Sequence, residues 1–204
     1  QFNPGNESDP STGYRSSFSH QYESAEAGYY SVSLSDYQID VELTATSRAG
    51  FHKYTFPKGD TANIIIDLFE GVTSDEVKYL EVQFLNDRTV TGIRKTDGWA
   101  DNQWICFYAE FSEPFDDFGI WKNGKIRKTK NKTYGDNLKA FARYFDPGSK
   151  EVLVKVGISP VDVQGAKNNL AQEIPEWSFK KIRKKARKAW GDKLEKIEVK
   201  GDEK

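Results

Sequence analysis

The sequence has one cysteine, two histidines, no methionine and no long apolar run. A single cysteine, Cys106, cannot form an intramolecular disulfide, and its apolar neighbours predict a small residue of the core. So few histidine and cysteine residues leave no ligand cluster for a zinc or haem site. No stretch is long and apolar enough for a transmembrane helix. We therefore expect no metal site and no membrane partner for this chain.

Charge of one sign is not in excess either, because the formal net charge is −1. No overall field therefore favours nucleic acid or a membrane surface as a partner. The chain begins with Gln1 and contains no methionine, so we expect it to be a processed chain or a piece of a longer protein. The lack of a signal peptide then says nothing about where that protein goes.

Alternating apolar and polar residues dominate the first three quarters of the chain, as in residues 30–35 and 39–44. This period of two predicts strands with one buried face. Further strands are predicted over 51–56, 63–68, 80–85, 90–94, 103–111, 139–145 and 151–158. Asn123 and Gly124 between two short apolar segments predict a two-residue hairpin turn. Short antiparallel strands at regular spacing favour a β-sandwich.

The pattern becomes helical near the carboxyl end. A first helix is predicted over Val163–Glu173 and ends before Pro175, and Ser178 can cap a second helix. Apolar residues of the second helix form one stripe, namely Phe179, Ile182, Ala186, Ala189, Trp190 and Leu194. We expect this stripe to dock on the sandwich or on another domain, with Trp190 as its largest buried anchor. The basic run 180–188 is then the solvated face of the same helix.

These patterns divide the chain into three parts. We expect a flexible arm over residues 1–13, a mainly β, antiparallel sandwich domain over 14–160, and a helical linker over 161–204.

Three segments carry a family resemblance, at similar order and spacing. They read SFSHQYESAEAGYYSV over 17–32, ELTATSRAGFHKYTFP over 42–57, and KVGIS over 155–159 followed by GAKNNLAQEIPEWSF over 165–179. Together they resemble the amino-terminal β-sandwich of glycoside hydrolase family 92, the calcium-dependent exo-acting α-mannosidases. The resemblance implies a supersandwich-like fold and helices that lead to an α-helical catalytic domain.

The same resemblance implies that the chemistry lies elsewhere. The family's acid, base and calcium ligands belong to the helical domain, so we expect no catalytic and no metal-binding residue in this chain, and no activity from it alone. The parent would be a secreted or periplasmic α-mannosidase, for example an α-1,2-mannosidase, that acts on mannose-containing glycans. Calcium would be its cofactor, with ligands outside this chain.

The segment 91–104 is the best candidate for sugar contact. It is similar to a Gly-x-Arg…Gly-Trp-Ala…Gln pattern of the family, and a loop tryptophan can stack on the apolar face of a pyranose. We predict that Trp99 stacks on sugar and that Arg94, Asp97 and Gln103 hydrogen-bond its hydroxyls. The alternative is that Trp99 packs against the domain's own loops or a partner domain.

Four further residues are assigned by position. His20 matches the family's Phe-Ser-His-Glu run and is predicted to contact carbohydrate, although Gln21 stands where the family has an acid, which argues against a charge-dependent role. His52, inside a strand, is predicted to face a polar surface or a domain interface. Trp177 and Trp190 are predicted to lie at the interface with the catalytic domain.

Three functions remain open from the sequence. The first is the non-catalytic sandwich portion of a mannosidase, with the helical catalytic domain as partner. The second is an autonomous carbohydrate-binding module, which binding of mannosides by the isolated chain would identify. The third is a binder of nucleic acid or an anionic surface through the basic helix, which salt-dependent retention on DNA would identify.

Overall fold

The structure is a computed structural model that describes residues 13–59, 61–71, 75–128, 131–146 and 151–196. Most of the predicted arm and the last eight residues of the predicted linker lie outside this part of the chain. The described strands are β1 Glu23–Glu26, β2 Tyr29–Leu34, β3 Ile39–Ala45, β4 Ala49–Thr55, β5 Ala62–Asp67, β6 Glu76–Asn86, β7 Thr89–Asp97, β8 Gln103–Phe111, β9 Asp117–Lys122, β10 Lys125–Arg127, β11 Lys132–Gly135, β12 Leu138–Tyr144 and β13 Glu151–Ser159. A 3-10 turn, His20–Tyr22, precedes β1, and two helices follow β13: α1 Val163–Glu173 and α2 Phe179–Leu194.

Within the described residues these strands form two antiparallel sheets. The large sheet has the order β1-β2-β3-β4-β13-β8-β7-β6-β11, and the small sheet has the order β10-β9-β12-β5. The prediction of a mainly β antiparallel sandwich followed by helices is confirmed. The predicted hairpin at Asn123 and Gly124 joins β9 to β10, with both residues at positive φ (48° and 79°). Two-residue hairpins of type I′ require that conformation.

The main core lies between the two sheets. Alternate residues of β6, β7, β8 and β13 point inward and meet apolar residues of β5, β9 and β12. Side chains with almost no exposure fill the middle of this layer, among them Leu80, Val82, Phe84, Val90, Phe111, Ile120 and Leu138. Burial of this apolar surface is the main stabilising term of the sandwich.

A second core lies on the outer face of the large sheet, beneath the two helices. It is formed by Ala49, Phe51, Tyr108, Ala166, Leu170, Ile174, Phe179 and Ile182. Helix α1 approaches the sheet so closely that a Cβ on Gly157 would overlap the carbonyl oxygen of Ala166. The sheet therefore has apolar layers on both faces, which is why β13 has buried residues of both parities.

Helix α2 docks on the large sheet, as the apolar stripe predicted, but the anchor is different. Phe179, Ile182 and Ala186 are buried, whereas Trp190 is 53% exposed. The expectation that Trp190 is the largest buried anchor is wrong for docking on the sandwich, and its burial against another domain stays a prediction. The helix contacts β2, β3 and β4 near the edge of the sheet. The last turns of α2, which carry Trp190 and Leu194, therefore extend beyond the edge of the sheet and leave both side chains exposed.

The basic face of α2 is largely solvated, and several of its cations have acidic neighbours. Arg183 Nη2 lies 2.5 Å from Glu26 Oε1, and its guanidinium carbon is 3.3 Å from the centre of the Tyr29 ring. Lys188 and Asp192 form an i, i+4 pair on the exposed side. Exposed pairs of this kind contribute little stability. The contact of Arg183 with both β1 and β2 instead fixes the position of the helix on the hairpin.

We expect Ile182→Ala to lower the free energy of unfolding by about 2–4 kcal/mol, because it removes a fully buried side chain between helix and sheet. Trp190→Ala should lower it by less than about 1 kcal/mol, because half of that side chain is in solvent. Urea denaturation followed by circular dichroism measures both values, with the exposed Lys184→Glu as control. A larger loss for Trp190→Ala than for Ile182→Ala would contradict this docking mode.

Candidate functional site

The candidate site is the turn of residues 98–102, which joins the paired strands β7 and β8. Asp97 closes this turn: its Oδ1 accepts a hydrogen bond of 2.7 Å from the backbone N–H of Asn102, which lies at φ 52°. A Cβ on Gly98 would overlap the carboxylate of Asp75, so the turn packs against the segment that leads into β6. The turn is thus held by local contacts at both of its ends.

Trp99 lies in this turn and is 97% exposed. The alternative that Trp99 packs against the domain's own loops is therefore wrong. Because the turn beneath it is fixed while the indole is free, Trp99 is available to a ligand or to another domain. Its predicted contact with sugar stays a prediction.

Arg94 lies on the inner face of β7 and holds a neighbouring loop. Its Nε donates a hydrogen bond of 3.0 Å to the carbonyl oxygen of Leu68, just after β5. A Cβ on Gly71 would lie 2.7 Å from Arg94 Nη2, so the loop wraps closely around the guanidinium. The structure thus shows Arg94 in a positioning contact, and its predicted hydrogen bond to sugar remains untested.

Asp97 and Gln103 lie at the same end of the sheet as Trp99. Gln103 is the first residue of β8, is exposed, and pairs with Thr96 of β7. Asp97 is half-buried, with Lys78 Nζ 3.8 Å from its Oδ2. Three of the five predicted sugar-binding residues, Trp99, Asp97 and Gln103, therefore lie in or beside one turn, whereas Arg94 is turned toward the loop after β5.

His20 is not part of this group. It lies in the 3-10 turn before β1, at one edge of the large sheet, whereas β7 is six strands away. At the usual strand spacing this separation is on the order of 25–30 Å along the sheet. The His20 side chain is 89% exposed, and its Nδ1 lies 2.5 Å from Glu23 Oε2. Any contact of His20 with carbohydrate would be a separate site.

Trp177, one of the residues predicted at an interface, partly covers the second core. It lies between α1 and α2, is 41% exposed and makes an edge contact with Phe51. Lys155 Nζ lies 4.2 Å from the centre of its ring and 3.1 Å from Glu110 Oε2. Trp177 and Trp190 therefore expose large apolar surface beside the helices, but their contact with another domain is not tested.

His52, the other predicted interface residue, is half-buried on the inner face of β4. Its Nδ1 lies 2.9 Å from the hydroxyl oxygen of Tyr54. Loss of hydration lowers the pKa of His52 and raises the pKa of Tyr54 to about 12. Both side chains are thus neutral near pH 7, which suits a packed position. The predicted interface role of His52 remains open.

Sequence reasoning missed a row of aromatic side chains on the outer face of the large sheet. Tyr134 of β11, Tyr79 of β6 and Trp104 of β8 follow one another across the strands, and we name them the aromatic row. Trp104 belonged to a predicted strand, but β11 was not predicted because Lys132–Gly135 is short and polar. Without β11 no sequence signal could place Tyr134 beside Tyr79.

Among the described residues, no three His, Cys, Asp or Glu side chains form a group that could hold a metal ion. In the same ranges no helix is long and apolar enough to cross a membrane. Cys106 is buried, as predicted, and desolvation raises the pKa of its thiol.

The sequence profile of the glycosyl hydrolase family 92 N-terminal domain matches residues 1–159, and that of the family 92 catalytic domain matches residues 165–204. The chain belongs to glycoside hydrolase family 92. It contains an N-terminal β-sandwich of that family and a segment that matches its catalytic-domain profile. Helix α2 and all but the first two residues of α1, which were predicted to belong to a linker, lie within the second match. The resemblance drawn from the three sequence segments is therefore confirmed.

Solved structures agree with this assignment. The family GH92 α-mannosidase BT3965 from Bacteroides thetaiotaomicron superposes with a TM-score of 0.89 at 31% identity, over 99% of this chain and 28% of that chain. The inverting mannosidase BT2199 from the same species gives a TM-score of 0.80 at 24% identity, over 90% of this chain and 24% of that chain. A bacterial glucoamylase complexed with acarbose shares the fold alone, with a TM-score of 0.53 at 9% identity, over 82% of this chain and 26% of that chain. The chain thus spans less than a third of the length of these proteins. No curated protein sequence matches the chain.

We expect Arg94→Ala to lower the free energy of unfolding by about 1–2 kcal/mol, because the carbonyl group of Leu68 loses a charged donor. Trp99→Ala should change it by less than about 0.5 kcal/mol, because the side chain has almost no contacts to lose. Urea denaturation followed by circular dichroism tests both. Equal losses for the two variants would show that Trp99 is packed as firmly as Arg94 and would contradict an exposed indole.

Proposed function

We propose that this chain is the non-catalytic N-terminal sandwich portion of a calcium-dependent exo-α-mannosidase that acts on glycans, and that the turn 98–102 helps to frame its mannose site. The observation that carries the proposal is Trp99, 97% exposed on a fixed turn of a glycoside hydrolase domain. The name of BT3965, which has also been solved in complex with mannoimidazole, supports mannose as the sugar.

The proposed division of labour follows from the chemistry of glycoside hydrolysis. The reaction needs two carboxyl groups on opposite sides of the scissile bond, about 6.5–9.5 Å apart in an inverting enzyme. In this proposal the helical catalytic domain supplies both. The sandwich supplies a rigid stacking surface at Trp99, and Asp97 and Gln103 lie close enough to the turn to accept or donate hydrogen bonds to hydroxyl groups.

Calcium has no group of candidate ligands among the described residues. No three His, Cys, Asp or Glu side chains in these ranges could hold a metal ion together, and hard cations require several oxygen ligands. The described residues therefore do not fit a calcium site, and we assign no step to the ion in them. In the proposal the ion belongs to the catalytic domain, and the parent protein is secreted or periplasmic.

The other two functions have different support. An autonomous carbohydrate-binding module is favoured by the exposed aromatic side chains Trp99, Trp104 and Tyr134. Binding of nucleic acid through α2 is disfavoured, because Arg183 and Lys181 are paired with Glu26 and Glu176 while the apolar face is docked. Salt-dependent retention on DNA remains the discriminating test for the latter.

The isolated chain should release no mannose from α-mannosides, with or without added calcium, because both carboxyl groups are assigned to the catalytic domain. Chromatographic measurement of free mannose, with the full-length protein as positive control, tests this expectation. Calcium-dependent release by the pure chain would refute the division of labour.

In the full-length protein, Trp99→Ala should reduce kcat/KM by an amount equal to roughly 1–3 kcal/mol of transition-state stabilisation, because a stacking surface next to the sugar is lost. Steady-state kinetics on an aryl α-mannoside gives the value. Tyr22→Ala removes another exposed aromatic ring at the far edge of the sheet and is the matched control. Unchanged kinetics for Trp99→Ala would place the indole against the partner domain instead.

A further inference from the structure

The aromatic row spans four neighbouring strands: its rings are on β11, β6 and β8, and Lys95 of β7 lies between Tyr79 and Trp104. Tyr134 pairs with Glu81 in the register of β11 and β6, and both Tyr79 and Trp104 pair with Lys95 of β7. The ring centres of Tyr134 and Tyr79 are 6.5 Å apart with planes 18° from parallel, and those of Tyr79 and Trp104 are 6.4 Å apart. These distances between ring centres are on the order of the length of one sugar unit along a glycan chain.

The row is open to solvent where its neighbours are covered. Helix α1 lies over Tyr108, four residues beyond Trp104 in β8, but Trp104 is 40% exposed and Tyr134 is 64% exposed. Trp104 is the second residue of β8, so only Gln103 separates it from the turn that carries Trp99. The aromatic row therefore begins beside the candidate site and extends away from it across the sheet.

Charged groups lie between the rings and around them. Lys95 Nζ is 5.4 Å from the centre of the Trp104 ring, and the hydroxyl of Tyr79 donates to Glu81 Oε2 at 2.9 Å. Lys132 Nζ is 2.9 Å from Glu81 Oε1. Rings that alternate with hydrogen-bonding charges suit a ligand with apolar faces and many hydroxyl groups. The centre of a protein interface is instead depleted of charge.

We propose that the aromatic row binds the body of a glycan chain, beyond the terminal sugar that the turn 98–102 contacts. This inference rests on the proposed function for the choice of a mannose-containing ligand. The row would stack successive sugar rings, while Lys95 and Glu81 hydrogen-bond their hydroxyls. The terminal sugar of the glycan would then lie at Trp99 while the aromatic row binds the other sugar units.

Affinity electrophoresis of the 204-residue chain in gels that contain soluble α-mannan tests the proposal without any need for activity. We expect mannan to retard the unmodified chain, and the double variant Trp104→Ala/Tyr134→Ala to bind about ten-fold more weakly, as expected for lost ring contacts. Tyr22→Ala, which also removes an exposed ring, should be retarded like the unmodified chain. Absence of retardation, or equal retardation of the double variant, overturns the proposal.

Kinetics of the full-length protein separate this inference from the proposed function. The double variant should raise KM for mannan at least several-fold and leave KM for a single-mannose aryl glycoside unchanged. Equal losses on both substrates together with a lower Tm would identify a domain interface and overturn the proposal. Failure of the proposed function would instead appear as unchanged kinetics for Trp99→Ala, whatever the result in the mannan gel.

Discussion

The part of the outer face of the large sheet that β4 and β8 form must be covered, and the rest of the molecule depends on how this is done. Phe51 and Tyr108 are buried on that face only because α1 and α2 lie over them. The residues that cover them, from Ala166 to Ile182, match the catalytic-domain profile, whereas the sheet matches the N-terminal one. One hydrophobic core therefore spans the boundary of the two profiles. The helices cannot be separated from the sandwich without exposing an apolar face of both.

Polar contacts fix the orientation of the two helices on the sheet, which apolar burial alone does not specify. Glu173 at the end of α1 accepts hydrogen bonds from the backbone and side chain of Arg48, in the turn between β3 and β4. Burial alone would raise the pKa of Glu173, but the bonds from Thr46 and Arg48 lower it overall, so the carboxylate is charged at neutral pH. Together with the contact of Arg183 on Glu26, this sets the direction in which the chain leaves the sandwich.

The sequence predicted most of these elements because burial repeats with a period. Strand β8 and helix α1 have the bounds that the pattern indicated. A loop with Trp99 was expected between strands 90–94 and 103–111, but β7 continues to Asp97, so the turn is the shorter segment 98–102. Strands β1 and β11 were missed because they are short and polar. Both are edge strands of the large sheet, where mostly exposed residues leave no alternating apolar pattern. Trp190 was misjudged because periodicity identifies a helix face but does not give the extent of the sheet beneath it. The contact of Arg94 with the carbonyl of Leu68 joins residues 26 apart, which no local pattern specifies.

The turn at the candidate site combines a fixed backbone with an exposed side chain, and this combination has an energetic consequence. Asp97 and Asn102 close the turn, and Gly98 lets it pass against Asp75 without a clash. A ligand that meets Trp99 therefore does not have to order a flexible loop, and more of the stacking energy remains as affinity. A fixed turn also limits the positions that the exposed indole can reach, although no contact among the described residues holds the ring itself. The same sheet that buries the two cores thus provides the rigidity on which the proposed recognition at its end depends.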